Sequence, residues 1–169
     1  NNHRIQKFTS GGVFVNKWGT EGTGNGKFKN PWGIAVASDG SVYVSETGND
    51  RIQKFTSDGV FVSKWGSGGN GNGKFKDAKA VAVASDGSVY VADTSNNRIQ
   101  KFTADGVFIS KWGNNGTADG EFKNPRVAVA SDGSVYVLDK DNERVQKFTS
   151  TGVFVSKWGT EGTADGQFK

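Results

Sequence analysis

A chain of 169 residues and 18.0 kDa can bury a sizeable core, but only if its parts pack on one another. Its 25 Gly, 2 Pro and 12% aromatic residues suit short strands joined by tight turns, and suit neither helices nor a low-complexity linker. Cys is absent, which excludes disulfides and thiolate metal sites, and no window has the roughly 18 apolar residues of a membrane-spanning helix.

The first predicted elements, Arg4 to Phe8 and Val13 to Trp18, are two strands that return along the chain. Arg-Ile-Gln-Lys-Phe begins at Arg4, Arg51 and Arg98 and comes back as Arg-Val-Gln-Lys-Phe at Arg144, in steps of 47, 47 and 46. Lys-Trp-Gly keeps these steps at Lys17, Lys64, Lys111 and Lys157, and Ser-Asp-Gly-Ser-Val-Tyr-Val recurs at Ser38, Ser85 and Ser131. A period in the range of about 40 to 50 residues marks an array of supersecondary units, each unable to bury its apolar faces until a neighbour stacks on it. Aligning Arg4 to Asp50 with Arg51 to Asn97 leaves about 33 of 47 positions identical, which suggests recent amplification or deliberate design.

The first complete unit reads as four strands. Trp32 to Ala37 is a run of small and branched apolar residues, expected for an innermost strand buried on both faces. Ser38-Asp39-Gly40-Ser41 supplies a hairpin in which Asp-Gly is expected to take the positive φ of a primed turn. Val42-Tyr43-Val44 is the second strand and Arg51 to Phe55 the third. Asp58-Gly59 then turns into an outer strand, Val60 to Trp65. There Phe61 and Trp65 share one face and Val60 and Val62 the other, so both faces are expected to pack on neighbours. A Gly-rich connection, Gly66 to Lys76, leads to the next unit. Residues 1 to 29 hold only a third and an outer strand, and residues 30 to 76, 77 to 123 and 124 to 169 hold whole units.

This pattern resembles the NHL-repeat family of β-propellers over essentially the whole chain. The resemblance is carried by Asn30-Pro31-Trp32-Gly33-Ile34-Ala35-Val36, Gly40-Ser41-Val42-Tyr43-Val44 and Asn96-Asn97-Arg98-Ile99-Gln100-Lys101-Phe102, in the family's order and spacing. It implies an all-β fold of four-stranded blades, usually closed as a ring of six, serving as a binding platform in signalling, RNA-binding and extracellular proteins. Ala37, Ala84 and Ala130 stand where the family often carries Asp, and Asn-Pro becomes Asp77-Ala78 in one unit. Propellers close with about four to eight blades. Three and a half leave open edges, so the chain is expected to be part of a longer array or one protomer of an assembly. With no Met at position 1, the segment is expected to begin after a processing site or inside a longer chain.

Candidate chemistry is thin. His3 is the only histidine, which rules out a multi-histidine metal cage, and it is expected to be a solvated loop side chain. Near-identical blades cannot place different polar groups around one asymmetric site, so no catalytic residue, metal site or cofactor is assigned and the chain is read as not an enzyme. An acid, an Asn and an Arg recur at one spacing as Glu46, Asn49, Arg51, as Asp93, Asn96, Arg98 and as Asp139, Asn142, Arg144. Their presence in every complete unit favours a structural role in which carboxylate and guanidinium pair while Asn bonds local backbone. The Gly-Asn-Gly and Ala-Asp-Gly segments near Gly71, Asp119 and Asp165 have too few acids for a calcium loop and read as turns.

The informative differences lie after the dipeptide that opens each inner strand, where Trp32, Lys79 and Arg126 stand beside an unchanged Ala-Val-Ala. In the family geometry these side chains flank the channel rim, where propellers bind partners, and Trp32 beside basic groups could stack on a planar ligand or contact a peptide. The net charge of +4 comes from 21 Lys and Arg against 17 acids, spread over every blade at Lys7, Lys17, Lys27, Lys29 and their equivalents. An RNA reader would cluster basic and aromatic residues on one face. The sequence therefore points to a non-catalytic scaffold or protein-interaction module that contacts other copies or segments of its own array, without membrane insertion, in an extracellular, cell-surface or designed setting. An RNA-binding platform is the alternative.

Overall fold

The computed structural model describes residues 2–169, and they form fourteen strands without an α-helix. Strands β1 (Ile5–Phe8) and β2 (Phe14–Trp18) pair as a two-stranded ribbon. Three four-stranded antiparallel sheets follow: β3 (Pro31–Val36) to β6 (Phe61–Trp65), β7 (Ala78–Val83) to β10 (Phe108–Trp112), and β11 (Pro125–Val129) to β14 (Phe154–Trp158). Within each, the strands lie in chain order: β4 (Val42–Glu46) and β5 (Arg51–Phe55), β8 (Val89–Asp93) and β9 (Arg98–Phe102), and β12 (Val135–Asp139) and β13 (Arg144–Phe148) are the middle pairs. The inner strands β3, β7 and β11 contact one another in turn, so the sheets are blades set around one side of an axis. Among the described residues the array is an arc of three and a half blades, with no closed ring.

Each hairpin is built differently from the expected primed turn. Gly40 takes φ of 84° while Asp39 does not enter the positive-φ region, and Gly40 N–H bonds Ala37 O at 2.9 Å. The turn is therefore an ordinary four-residue bend closed by a left-handed glycine. Asp39 contributes through its side chain, which accepts from Ser41 N–H at 2.8 Å and Ser41 Oγ at 3.0 Å. Those bonds hold its carboxyl below the ordinary carboxylate value.

The core lies between blades. One cluster joins Tyr43, Ala35 and Ala37 of one blade to Val81, Val89 and Phe102 of the next, and a second joins Tyr90, Ala80 and Ala82 to Val127, Val135 and Phe148. The outer-strand tryptophan reaches forward in the same way. Trp18 lies 6.0 Å from Phe55, and Trp65 and Trp112 each lie 5.9 Å from Phe102 and Phe148. Gly106 makes this possible: at φ of 86° it lies under the Trp65 ring, where any Cβ would collide.

Three packing expectations need correction. Trp18, Trp65 and Trp112 are half-buried, whereas Trp158, with no blade ahead of it, is 45% exposed. The second face of the outer strands packs on nothing here: Val13, Val15, Val60, Val62, Val107, Ile109, Val153 and Val155 are all exposed. Inner strand β3 is not covered on both faces either. Trp32, Ile34 and Val36 are exposed because β1 and β2 have no inner strands to lie against them.

Three of the fully buried aromatic side chains lie outside the predicted strands. Phe28, Phe75 and Phe122 are fully buried although each sits in the Gly-rich connection. Each forms an isolated parallel bridge within its connection, to Glu21, Gly68 and Asn115 respectively, and its ring meets Phe55, Phe102 or Phe148 at 5.5 to 5.7 Å. The connection is thus a plug that seats on the third strand of the following blade. Its signal is the lone Phe recurring in an otherwise polar, Gly-rich stretch, at Phe28, Phe75, Phe122 and Phe168.

Candidate binding surfaces

The acid, Asn and Arg of each blade meet in a buried network. Asp93 is fully buried and its Oδ2 accepts from Arg98 Nε at 2.7 Å, since β8 and β9 pair these residues directly. Arg98 spends its remaining donors on the plug of the preceding blade, at Asn70 O, Gly71 O and Lys74 O, between 2.7 and 3.0 Å. Gln100 adds two bonds to the same plug, donating to Lys74 O and accepting from Gly73 N–H. Glu46, Arg51 and Gln53 hold Gly24 to Lys27 in the same way, and Asp139, Arg144 and Gln146 hold Ala118 to Glu121. Asn49, Asn96 and Asn142 do not bond local backbone as expected. Each donates to its own acid and to a carbonyl of the preceding connection, Gly22 O, Gly69 O or Gly116 O.

This is a latch between blades, and it consumes the polar atoms that a ligand would need. A buried charge pair persists only when its remaining donors and acceptors are satisfied, and here backbone carbonyls satisfy them. Arg4 and Gln6 occupy the same positions in the half-blade and are exposed.

His3 is a structural side chain, not the solvated one expected. It is half-buried and its Nδ1 accepts from Asn30 N–H at 3.3 Å. Asp50 Oδ1 and Asn97 Oδ1 do the same for Asp77 N–H and Asn124 N–H, at 3.0 and 3.2 Å. The position thus needs an acceptor, which imidazole, carboxylate and amide can each supply. At Asp50, burial and the nearby Asp77 and Asp93 push the carboxyl above its ordinary value.

The three rim residues open the inner strands β3, β7 and β11, but only two come together. Trp32 is 61% exposed, and the Lys79 ammonium lies 5.6 Å from its ring centroid. Arg126 turns instead to its own surroundings, donating to Pro125 O at 2.9 Å and Asn124 Oδ1 at 3.1 Å, with Thr94 Oγ1 at 3.4 Å. Burial pulls the Arg126 guanidinium below its ordinary value, opposed by Asp141. Lys79 also edges an open polar hollow of about 350 Å³ with Ser95, Lys123 and Asp141. No cluster of three or more His, Asp or Glu side chains suited to a metal occurs among the described residues. Among the described residues no helix is long and apolar enough to cross a membrane.

Some of the other basic side chains pair with acids. Lys7 pairs with Asp58, Lys54 with Asp105 and Lys157 with Asp119 across blades. At these places positive charge is interleaved with acids.

Blades of this topology, cohesive through inter-blade latches and plugs, define a β-propeller repeat array. The NHL repeat is matched at residues 28–55, 75–102 and 126–148, so the chain carries NHL repeats. A comparison with curated proteins finds no match. Among solved structures, the arc is similar to a streptogramin B lyase, with 21% identity and a TM-score of 0.69 over 95% of this chain and 49% of that one. It is similar to virginiamycin B lyase from Staphylococcus aureus, with 18% identity and a TM-score of 0.65 over 91% and 48%. A chain of a nidogen/laminin complex is 17% identical with a TM-score of 0.59 over 75% and 48%. These likenesses show the fold alone. The chain spans about half the length of the solved structures it matches.

Proposed function

We propose that the chain is a non-catalytic binding and assembly module, an arc of NHL blades that joins further blades of its own kind. The observation that carries this reading is the complementarity of its two ends. Trp158, Tyr136 and Phe168 at one end are equivalent to Trp65, Tyr43 and Phe75, which in the interior cover the following blade. Phe8 and Gly12 at the other end are equivalent to Phe102 and Gly106, which in the interior receive them. Each end is thus half of an interface that the molecule builds repeatedly, and a heterologous contact of this type propagates to a ring or an open fibre according to its rotation.

A catalytic reading has less behind it. The lyases share the fold at 18 to 21% identity, while the one imidazole of this chain is spent on the Asn30 amide. The complete blades repeat the same polar groups in the same latch. Sedimentation velocity over a wide concentration range tests the proposal: assemblies heavier than the 18.0 kDa protomer are expected, growing with concentration. A single protomer species at every concentration would overturn it, and strongly salt-dependent retention of single-stranded RNA would favour the RNA platform instead.

A further inference from the structure

The polar hollow of about 350 Å³ lies where the second and third complete blades meet. Its lining includes Lys79 of β7, Asn97 in the β8–β9 turn, Asn115, Lys123 and Asn124 in the connection from β10 to β11, and Asp141 after β12. Small-molecule sites typically run from about 300 to 1,000 Å³, so the space suits a small ligand. Lys123 is half-buried, and among the described residues neither its ammonium nor that of Lys79 pairs with an acid. Lys79 touches only the Trp32 ring, and the Asn115 side chain makes no hydrogen bond among the described residues. Asn97 accepts from Asn124 N–H through Oδ1 at 3.2 Å, which leaves its Nδ2 to donate. Two ammonium groups and two amides are thus uncommitted donors around one space. Acceptors are fewer: Asp141 Oδ1 already takes Lys140 Nζ at 3.2 Å and Asn124 Nδ2 at 3.3 Å, leaving Oδ2.

This donor set is not part of the repeat. At the preceding junction Trp32 stands for Lys79, Asp50 for Asn97, Gly68 for Asn115 and Asp77 for Asn124, so that one lysine, Lys76, stands with two acids. Packing does not require the change. Asp50 and Asn97 both accept from the backbone N–H that opens the next blade, so the amide keeps that bond and only exchanges a free carboxylate oxygen for a donor. Four differences between units otherwise so alike therefore move one space from acids toward donors. A fifth runs the other way, placing Asp141 where the preceding junction has Ser95. The space is thus rich in positive donors and keeps one anionic acceptor.

We propose that this hollow binds a small phosphate monoester that also carries hydroxyl groups, a sugar or polyol phosphate. The Lys79 and Lys123 ammonium groups and the Asn97 and Asn115 amides donate to the phosphate, and Asp141 accepts from a ligand hydroxyl. A phosphate monoester carries about −1.5 to −2 charge at neutral pH on three strong acceptor oxygens, which suits several donors better than a carboxylate's two oxygens do. The inference goes beyond the assembly reading and does not depend on it, since the walls of the hollow come from two adjacent blades of one chain.

The test is isothermal titration calorimetry of the full chain with glucose 6-phosphate, ribose 5-phosphate and glycerol 3-phosphate, alongside inorganic phosphate and glucose. Saturable one-to-one binding of at least one ester is expected, weaker at higher salt and tighter than inorganic phosphate. Lys123→Ala, Lys79→Ala and Asn115→Ala should each weaken it at least about five-fold, while Lys76→Ala at the preceding junction leaves it unchanged. Lys123→Arg keeps the charge and should retain binding, and the Tm of each unliganded variant should match the parent, which separates lost binding from lost folding. Asp141→Ala should reduce the preference for the ester over inorganic phosphate. The proposal is overturned if no ester binds, if glucose or inorganic phosphate binds as tightly as the ester, or if Lys76→Ala costs as much as Lys123→Ala. It is also overturned if a single-stranded RNA without a terminal phosphate binds through the same side chains, which would assign the hollow to a phosphodiester backbone.

Discussion

Arg98 and Arg4 hold the same place in the repeat and differ in their surroundings. Arg98 is buried against Asp93 and three carbonyls of the preceding connection, whereas Arg4 lies in solvent. Removing one partner of a buried pair strands the other, which costs about 3–5 kcal/mol, while an exposed site typically changes stability by less than about 0.5 kcal/mol. Urea unfolding of Arg98→Ala and Arg4→Ala should therefore separate the two sharply. Equal costs would show that the latch adds nothing. The pairing of acid and arginine was legible in the sequence, because a spacing of five across a short turn places the two opposite each other on adjacent strands. The grip on the preceding blade was not, since it runs to backbone carbonyls that no residue type announces. Gln53, Gln100 and Gln146, fully buried in the same network, were missed despite perfect recurrence within Arg-Ile-Gln-Lys-Phe and Arg-Val-Gln-Lys-Phe.

Strands were the legible elements and their environments were not. Alternation and Asp-Gly turns set four strands per unit, and the third strand runs Arg51–Phe55 as read from its motif. Burial follows the neighbour, however, and period-two patterning cannot say which neighbour is present. Outer-strand valines alternate as a buried face would, yet they face solvent. The connections reverse this error: Phe75 is wholly buried inside a stretch that composition marks as a loop. Phe75→Ala should cost about 3–5 kcal/mol, the usual range for a large aromatic removed from a packed site. Phe168→Ala, at the equivalent position with no following blade, should cost distinctly less because Phe168 is only half-buried. Thermal unfolding of the pair checks this, and matching losses would mean that the plug acts within its own blade.

At the scale of the whole molecule, cohesion is a nearest-neighbour property. The buried clusters, the plugs and the latches all cross from one blade to the next, so a blade with a neighbour on each side is held twice. The family and the unfinished arc were legible from the period and the phase of the repeat. Hydrogen exchange of the protomer measures this cohesion directly, since local opening reports how firmly each segment is held. Protection should be greatest in β8 and β9, whose blade is packed on both faces, and lowest in β1 and β2, with β1–β2 amides exchanging through local opening well below the global unfolding free energy. Equal protection of β1–β2 and β8–β9 would contradict the account, because a two-stranded ribbon would then be held as firmly as a four-stranded blade packed on both faces.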